Sequence, residues 1–223
     1  MNLAIYSGYT GPGDRTHISY SPTGKYPAYF VSNNAAILDQ AKNLGWLPIF
    51  LNNPEPVDDW SISTSQCKVI KITPSAHDKL RDYDYLYYTD DKMGVDDSRM
   101  EQFVDSLGDN AYALRRHPWN PPNILYELAE SLEQKRYYYI REKLFEYISR
   151  EVGSGHGLNS KIYWCSSVLR NMKHRDRLSI DDDWYESTLA SGGLQDQISF
   201  FFTAQRYASS IVELPQDCDR HRS

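Results

Sequence analysis

Short apolar runs separated by polar segments open the chain. Residues 2–6 (NLAIY) are followed by Ser7 and Gly8, which predicts a first strand that ends in a glycine-rich loop. Runs at 26–31 (YPAYFV) and 46–51 (WLPIFL) predict a second and a third strand. Because a helical segment separates the last two runs, this order is typical of a parallel sheet with crossover helices.

The helical segment is residues 35–45 (AAILDQAKNLG), in which the apolar residues recur with helical spacing. Asn33 or Asn34 suits the N-cap position, where a short polar side chain accepts a hydrogen bond from the first turn. Gly45 suits the position just past the last turn. The pattern therefore predicts a helix with a stop signal at each end.

Weaker patterns predict the remaining elements. We expect a short helix near 75–80, a central strand at 85–88 (YLYY), one or two helices within 123–151, a late strand at 161–170 and a helix at 194–207. The prolines of 115–122 predict a rigid loop, since proline restricts both itself and its predecessor. No repeat or linker interrupts the chain, so we predict one α/β domain over residues 1–223, with a central, mostly parallel sheet flanked by helices.

Composition narrows the class of protein. The chain has no apolar run of about 20 residues, so we predict no membrane span. A net charge of −6 argues against a nucleic-acid surface, which needs a basic face. The three cysteines, Cys67, Cys165 and Cys218, are widely spaced and form neither a disulfide framework nor a zinc pattern. Together with the lack of a signal peptide at the N-terminus, this predicts a cytoplasmic location.

Two adjacent aspartates, Asp90 and Asp91, follow the predicted central strand. Ligands of open parallel sheets bind at the carboxyl ends of the strands. Mg²⁺ and Mn²⁺ prefer carboxylate oxygens and keep coordination positions open for substrate phosphates. The two aspartates therefore predict a metal site, with a simple acidic turn as the structural alternative. Residues 82–84 spell D-x-D as well, but they precede the strand and lie at the opposite edge.

A Gly192-Gly193 pair leads into the last predicted helix, whose first turn carries Asp196 and Gln197. An acidic residue at this point is stabilised by the helix dipole, which is one explanation of Asp196. The other is that Asp196 orients a substrate group.

A basic segment, Arg115-Arg116-His117, is the third candidate. Arginine pairs well with phosphate because its planar fork donates two hydrogen bonds at once. His117 precedes a proline, which would hold the imidazole in a fixed pose. Surface charges and a structural histidine are the alternative explanations of this segment.

Several short motifs occur in a fixed order over residues 2–207. They are Lys71-Ile72-Thr73-Pro74 with His77, Tyr83-Asp84-Tyr85, Tyr88-Thr89-Asp90-Asp91-Lys92, His117-Pro118, Tyr126-Glu127 and Asp196-Gln197-Ile198-Ser199-Phe200. Their order resembles glycosyltransferases of the "domain of unknown function 616" group. Asp196-Gln197 is also similar to the D-Q turn of glycosyltransferase family 8, which transfers sugars with retention of configuration. The length of the chain and its Ala4-Ile5-Tyr6 opening resemble glycosyltransferase domains of chlorella-virus proteins that glycosylate the capsid.

The resemblance implies a GT-A fold and a metal-dependent hexosyltransferase. It implies a UDP-sugar donor, a Mn²⁺ or Mg²⁺ ion, and a glycan or glycoprotein acceptor. It assigns Asp90 and Asp91 to the metal, and Asp196 and Gln197 to catalysis. It assigns the following residues to the nucleotide sugar: Tyr6, Ser7, Gly8, Tyr9, Lys71, Asp90, Arg115 and His117. Among the residues assigned to the nucleotide sugar, tyrosine would stack on the base and glycine would let the backbone approach the base.

The chain departs from the family pattern at the metal turn. The family has an acidic residue, any residue and then Asp, whereas this chain has Thr89-Asp90-Asp91, so the direct metal ligand is left open. The family also has a late histidine ligand, for which His174 is a weak candidate.

Two other functions remain open. A metal-dependent nucleotidyltransferase or phosphohydrolase would use the same aspartates, with a basic cluster or more carboxylates around the attacked phosphate. The 18 tyrosines would suit a non-catalytic carbohydrate-binding protein, which has no need of paired aspartates at a strand end.

Overall fold

The computed structural model describes residues 1–12, 17–52 and 54–215. Within these residues, seven strands form one sheet: β1 (Leu3–Gly8), β2 (Ala28–Ser32), β3 (Leu47–Phe50), β4 (Tyr85–Thr89), β5 (Tyr112–Arg116), β6 (Tyr163–Asn171) and β7 (Ile211–Glu213). The strand order is β3-β2-β1-β4-β6-β5-β7. Only β6 runs antiparallel to its neighbours in this described sheet. The predicted mostly parallel sheet is therefore confirmed, with β4 at its centre.

The helices within the described residues are α1 (Ala35–Asn43), α2 (Trp60–Ile72), α3 (Asp78–Arg81), α4 (Met100–Leu107), α5 (Ile124–Glu133), α6 (Lys135–Tyr138), α7 (Arg141–Gly153), α8 (Arg177–Ala190) and α9 (Asp196–Arg206). One face of the sheet packs on α1 and α4 through a core that includes Ile5, Phe30, Tyr87 and Phe103. The other face packs on α2, α8 and α9 through a core that includes Tyr6, Leu86, Tyr88, Trp184 and Phe200. Burial on both faces explains why β1 and β4 are continuous apolar runs.

The first helix confirms the local signals in its sequence. Asn34 is its N-cap, and its side chain accepts a hydrogen bond from the backbone N–H of Ala36 at 3.0 Å. Gly45 follows the helix with φ of 97°, a conformation that glycine adopts without a steric cost. Both ends of α1 are thus fixed by residues within or beside it.

Residues 115–122 differ from the predicted loop, because Arg115 and Arg116 belong to β5. Their strand pairs with β6, and its register shifts between Leu114 and Arg115. The sequence also gave no signal for α2, α4 and α8. In α2 the buried residues include Ser63 and Lys71, so its apolar face is incomplete.

Two residues named in the sequence analysis, Gly13 and Cys218, lie outside the described residues. Across the described ranges, every helix is too short or too polar to cross a membrane.

Candidate functional site

A cleft of about 700 Å³ opens at the carboxyl ends of β1 and β4. Gly8 ends β1 there and residues 9–10 follow it, and Asp90 and Asp91 follow β4. Because β6 is antiparallel, its beginning at residues 164–166 lies at the same edge. Side chains of α2, α5 and α6 and the first turn of α9 also line the cleft. This is the edge at which open α/β sheets bind ligands.

Gly8 allows α2 to lie directly against the end of β1. A Cβ atom on this residue would be 2.6 Å from the Ile70 Cγ2 atom and 2.8 Å from the Val31 carbonyl oxygen. Both distances are shorter than van der Waals contact, so a larger residue would push α2 away. The packing of α2 is thus the reason for glycine here, and it also brings the lysines of α2 to the cleft.

Asp90 is fixed by contacts on both its backbone and its side chain. Its N–H donates to the Ser166 carbonyl at 2.9 Å, and its Oδ1 accepts the Tyr88 hydroxyl at 2.8 Å. The Lys71 ammonium is 3.5 Å from the same oxygen. The side chain remains 35% exposed to the cleft. Asp91 follows directly and lines the same cleft.

These two carboxylates fit one type of metal site. Mg²⁺ is commonly held by one or two carboxylates while substrate phosphates and water complete its shell. Among the described residues, no group of three or more His, Cys, Asp or Glu side chains is placed to hold an ion. An ion at Asp90 and Asp91 would have coordination positions open to water and to oxygens of the substrate. His174 is placed elsewhere, in the turn after β6, where its Nδ1 accepts the Asp176 N–H.

Two lysines on one face of α2 hold Asp196. The Lys68 ammonium is 3.0 Å from Oδ1 of Asp196, and the Lys71 ammonium is 2.6 Å from Oδ2. Burial opposes ionisation of Asp196, but the charges of Lys68 and Lys71 outweigh it and hold its pKa well below the usual range. Burial also opposes the charge of Lys71, and the carboxylates of Asp196 and Asp90 raise its pKa nevertheless. Asp196 and Lys71 are therefore both charged at neutral pH.

The backbone of Lys71 is held by a buried network. Its carbonyl accepts hydrogen bonds from the Tyr6 hydroxyl at 3.0 Å and from Arg170 Nη2 at 2.8 Å. Arg170 is completely buried and pairs with Asp181 at 3.2 Å. This network fixes the last turn of α2, from which the Lys71 side chain reaches the carboxylates.

Three residues expected to bind the nucleotide sugar do not line the cleft. Tyr6 is fully buried, and its hydroxyl belongs to the network beneath Lys71, so its ring cannot stack on a base. Ser7 is fully buried as well. Arg115 is 4% exposed, and its Nη2 donates to the Tyr87 hydroxyl at 3.4 Å, within the core beneath α4. These assignments are corrected: both faces of β1 are covered, so Tyr6 and Ser7 are both buried, and Arg115, within β5, is enclosed.

His117 and Glu127 form a second buried pair in the wall of the cleft. The His117 Nε2 atom is 3.4 Å from Oε2 of Glu127, and its Nδ1 accepts the Trp119 N–H at 3.3 Å. Since Nδ1 is an acceptor, the proton of the neutral imidazole lies on Nε2 and faces Glu127. Burial lowers the pKa of His117 and raises the pKa of Glu127 to about 7.

Two glutamines connect Glu127 to the first turn of α9. Gln195 Nε2 donates to Oε1 of Glu127 at 3.3 Å and to the Ser131 hydroxyl at 2.6 Å. Its Oε1 accepts the Gln197 N–H at 3.1 Å, which makes Gln195 the N-cap of α9. The Gln197 side chain also bonds to Glu127, and its Oε1 accepts the Cys165 N–H at 3.5 Å.

The cleft thus gathers most of the expected residues and several that sequence reasoning missed. Those expected are Gly8, Tyr9, Lys71, Asp90, Asp91, His117, Asp196 and Gln197. Those missed are Trp60, Lys68, Trp119, Glu127 and Trp164. Lys68 is three residues before Lys71 and shares its face of α2, but this spacing became a signal only once the helix was known. Glu127 had only its place in the Tyr126-Glu127 motif.

No protein-family model and no curated protein matches the sequence of this chain. Its structure is similar to that of mouse xyloside xylosyltransferase 1 in the apo form, with a TM-score of 0.56 and 10% identity over 96% of this chain and 85% of that chain. It is similar to the mannosyltransferase Ktr4p from S. cerevisiae, with a TM-score of 0.52 and 12% identity over 96% of this chain and 68% of that one. It is also similar to the galactosyltransferase LgtC in complex with donor and acceptor sugar analogues, with a TM-score of 0.50 and 15% identity over 94% and 72% of the two chains. At such low identity the likeness establishes the architecture: this chain has the GT-A fold of glycosyltransferases.

Proposed function

We propose that this protein is a metal-dependent glycosyltransferase that moves a sugar from a UDP-sugar donor to a glycan or glycoprotein acceptor. The observation that carries the proposal is that two sets of aspartates, Asp90 with Asp91 and Asp196, line one cleft of a GT-A fold. Asp90 and Asp91 stand at the end of the central strand, and Asp196 is joined to Asp90 through Lys71. A transferase needs both a site for the diphosphate and a site for the reacting sugar, and this cleft offers one of each.

Asp90 and Asp91 are the proposed ligands of Mn²⁺ or Mg²⁺. When bound, the ion stabilises the negative charge that develops on the departing diphosphate. The Tyr88 hydroxyl supports this role because it donates to Oδ1 of Asp90 and so fixes the carboxylate. Lys71 adds a positive charge beside the same oxygen.

Gly8 and Tyr9 are the proposed neighbours of the nucleoside. They lie at the end of β1, at the side of the cleft beyond β4, and Tyr9 is half-buried there. An aromatic ring in this position suits stacking on a base. We expect the uracil of UDP to be preferred over purine bases.

Asp196 is the proposed stabiliser of the sugar at its reacting carbon, with Gln197 beside it. The transition state carries positive charge on the sugar, by analogy with glycoside hydrolysis. Two lysine contacts hold Asp196 ionised, with a pKa well below the usual range. A carboxylate with so low a pKa is a poor acceptor of the acceptor hydroxyl's proton. This property favours charge stabilisation, and therefore a retaining reaction, over the general-base role that inversion requires.

A thermal-shift experiment with Mn²⁺ and nucleotides tests the donor site. A ligand at 100 times its Kd stabilises a fold by about 2.7 kcal/mol, and a chain of this size gains about 2–4 °C in Tm per kcal/mol. We expect UDP with Mn²⁺ to raise Tm by about 5–11 °C on these values, more than ADP or GDP does. Asp91→Asn should abolish the metal-dependent part of this shift and leave the Tm of the free protein unchanged. Asp82→Asn is the matched control, because Asp82 is exposed at the opposite edge of the sheet.

Three results would count against the proposal. Retained metal-dependent stabilisation in both Asp90→Asn and Asp91→Asn would remove the metal site. Unfolding of Asp91→Asn without ligand would show a structural role for that residue. Equal shifts with UDP, ADP and GDP would show that only the phosphates are recognised.

The product separates a transferase from the other enzyme class. Transfer or hydrolysis at the sugar carbon releases UDP, whereas a phosphohydrolase that cleaves between the phosphates releases UMP. We expect UDP as the released nucleotide when UDP-sugars are incubated with the protein and Mn²⁺, and chromatography distinguishes the two.

A further inference from the structure

Trp119 stands in solvent at the mouth of the cleft. It is 76% exposed, the largest exposed fraction of any large apolar side chain in the described residues. The same side chain lines the cleft that holds Asp90 and Asp196. An indole ring presents on the order of 200 Å² of mostly apolar surface, so a flat apolar face that docks on it would be stabilised.

The loop that carries Trp119 is rigid. Pro118 precedes the tryptophan, and prolines follow at 121–122. Asn120 has φ of 44°, the one positive value of a non-glycine residue in the described ranges, and its N–H donates to the His117 carbonyl at 2.9 Å. The Trp119 N–H donates to His117 Nδ1, and the two rings pack edge to face with centroids 5.4 Å apart. The indole is therefore held in place by folding, before any ligand arrives.

The buried His117–Glu127 pair anchors this loop to α5. From α5 and the start of α6, the side chains of Glu130 and Gln134 reach the same cleft. An aromatic face that shares a cleft with carboxylate and amide groups is the chemistry that recognises a sugar ring. The C–H face of the ring covers the indole, and the hydroxyls bond with the polar groups.

The order of the strands places Trp119 at the end of the cleft opposite the proposed nucleoside site. The sheet order is β1, β4, β6 and β5, and the cleft lies across the ends of these strands. The proposed nucleoside and metal sites follow β1 and β4, and Trp119 follows β5. Adjacent strands are about 4.8 Å apart, so β4 and β5 are separated by about 10 Å, enough for one sugar ring between them. The start of β6 lies between these two strands, and Asp196 lines the same cleft.

We propose that Trp119, Glu130 and Gln134 form the subsite for the acceptor, and that it binds a pyranose ring of a glycan against the indole face. This proposal rests on the proposed transferase function, because it assigns the second substrate of the same cleft. The ligand that we propose for Trp119 is a sugar ring. The test below would instead reveal a protein partner if Trp119 is a contact for one.

Saturation-transfer NMR with methyl glycosides tests the subsite directly. The probes are the methyl pyranosides of glucose, galactose and mannose, each added to the full chain with UDP and Mg²⁺, which is diamagnetic and leaves the proton signals sharp. We expect saturation of the ring protons of at least one glycoside by the wild-type protein. Trp119→Ala should weaken its binding about 10-fold, which corresponds to about 1.4 kcal/mol, and Trp119→Phe should restore part of it. Phe145→Ala is the control, since Phe145 is 50% exposed on α7 and does not line the cleft.

The thermal shift with UDP and Mg²⁺, measured on the same samples, separates the two proposals. We expect Trp119→Ala to keep this shift, because the subsite is separate from the nucleotide. If the shift is present but no glycoside binds, or if Trp119→Ala binds glycosides as well as wild type does, the subsite is wrong and the donor site stands. If the shift is absent from wild type, the proposed function fails whatever the glycosides do. A change of elution volume in Trp119→Ala without a change in glycoside binding would identify a protein contact and overturn the subsite.

Discussion

Replacing Asp196 by Asn tests the ion-pair cluster that joins the two halves of the cleft. The variant keeps the size of the side chain and removes its charge, which leaves the ammonium groups of Lys68 and Lys71 without their shared partner. Breaking a buried ion pair costs about 3–5 kcal/mol, because one charge stays buried and uncompensated. The lower value applies here, since Lys71 retains Asp90 at 3.5 Å and Lys68 is 13% exposed to solvent. We therefore expect a loss of about 3 kcal/mol.

Thermal and urea unfolding measure this loss. For a chain of 223 residues, a destabilisation of about 3 kcal/mol lowers Tm by about 6–12 °C. The pH dependence gives a second signature. The pKa of Asp196 is lower in the folded protein than in the unfolded chain, so its contribution is present above the unfolded pKa and is lost as pH falls through the folded pKa. The difference between wild type and Asp196→Asn should be constant from about pH 5 to 8 and shrink below about pH 4.

Asp182→Asn is the matched control, because Asp182 is exposed on α8 and undergoes the same chemical change. Surface substitutions of this kind change stability by about 0.5 kcal/mol or less. If Asp196→Asn unfolds within about 2 °C of wild type, the cluster does not stabilise the fold by the expected amount. A difference between wild type and Asp196→Asn that persists unchanged below pH 3 would refute the assigned protonation state.

Two further predictions concern the reaction and the second buried carboxylate. Asp196→Ala should lower the turnover of the proposed transferase by about 100-fold or more and leave UDP affinity nearly unchanged. NMR of the product made by the wild-type protein should show retention, and an inverted anomer would contradict the retaining mechanism. Burial raises the pKa of Glu127 from 4.5 to about 7, so the folded protein holds a proton that the unfolded chain releases, and stability falls as pH rises between these values. Glu127→Gln should remove this fall. The unfolding free energy of the variant minus that of wild type should therefore increase by up to about 3 kcal/mol between pH 4.5 and pH 7. Urea titrations that give the same difference at both pH values would contradict the prediction.

Signals that are local in sequence were sufficient for part of the fold and part of the site. The helix α1 is fixed by Asn34 before it and Gly45 after it, and both act on backbone groups within a few residues. The central strand β4 is an apolar run, and Asp90 and Asp91 follow it immediately. Because the end of a parallel strand is a ligand site in any open α/β sheet, the sequence alone predicted where these carboxylates lie.

The strand β5 was decided by partners that are distant in sequence. The charges of Arg115 and Arg116 and the prolines that follow them suggested a loop, yet the strand pairs with β6 (residues 163–171) and with β7 (residues 211–213). These backbone hydrogen bonds and the burial of the strand outweigh its local preferences. The segments that form β6 and β7 are present in the sequence, but nothing in it indicates that they pair with β5.

Packing also decided which side chains face the cleft. Tyr6 and Tyr9 are three residues apart and look alike in sequence, but Tyr6 is enclosed beneath α2 and Tyr9 lines the cleft. The contact of Lys71 with Asp196 joins residues more than a hundred positions apart, and it forms because Gly8 lets α2 approach the sheet. The sequence by itself determined the first three strands, the helix α1 and the chemistry available at the ends of β1 and β4. The tertiary structure decided which charges meet, because pairing depends on distances that only the packed helices and sheet define.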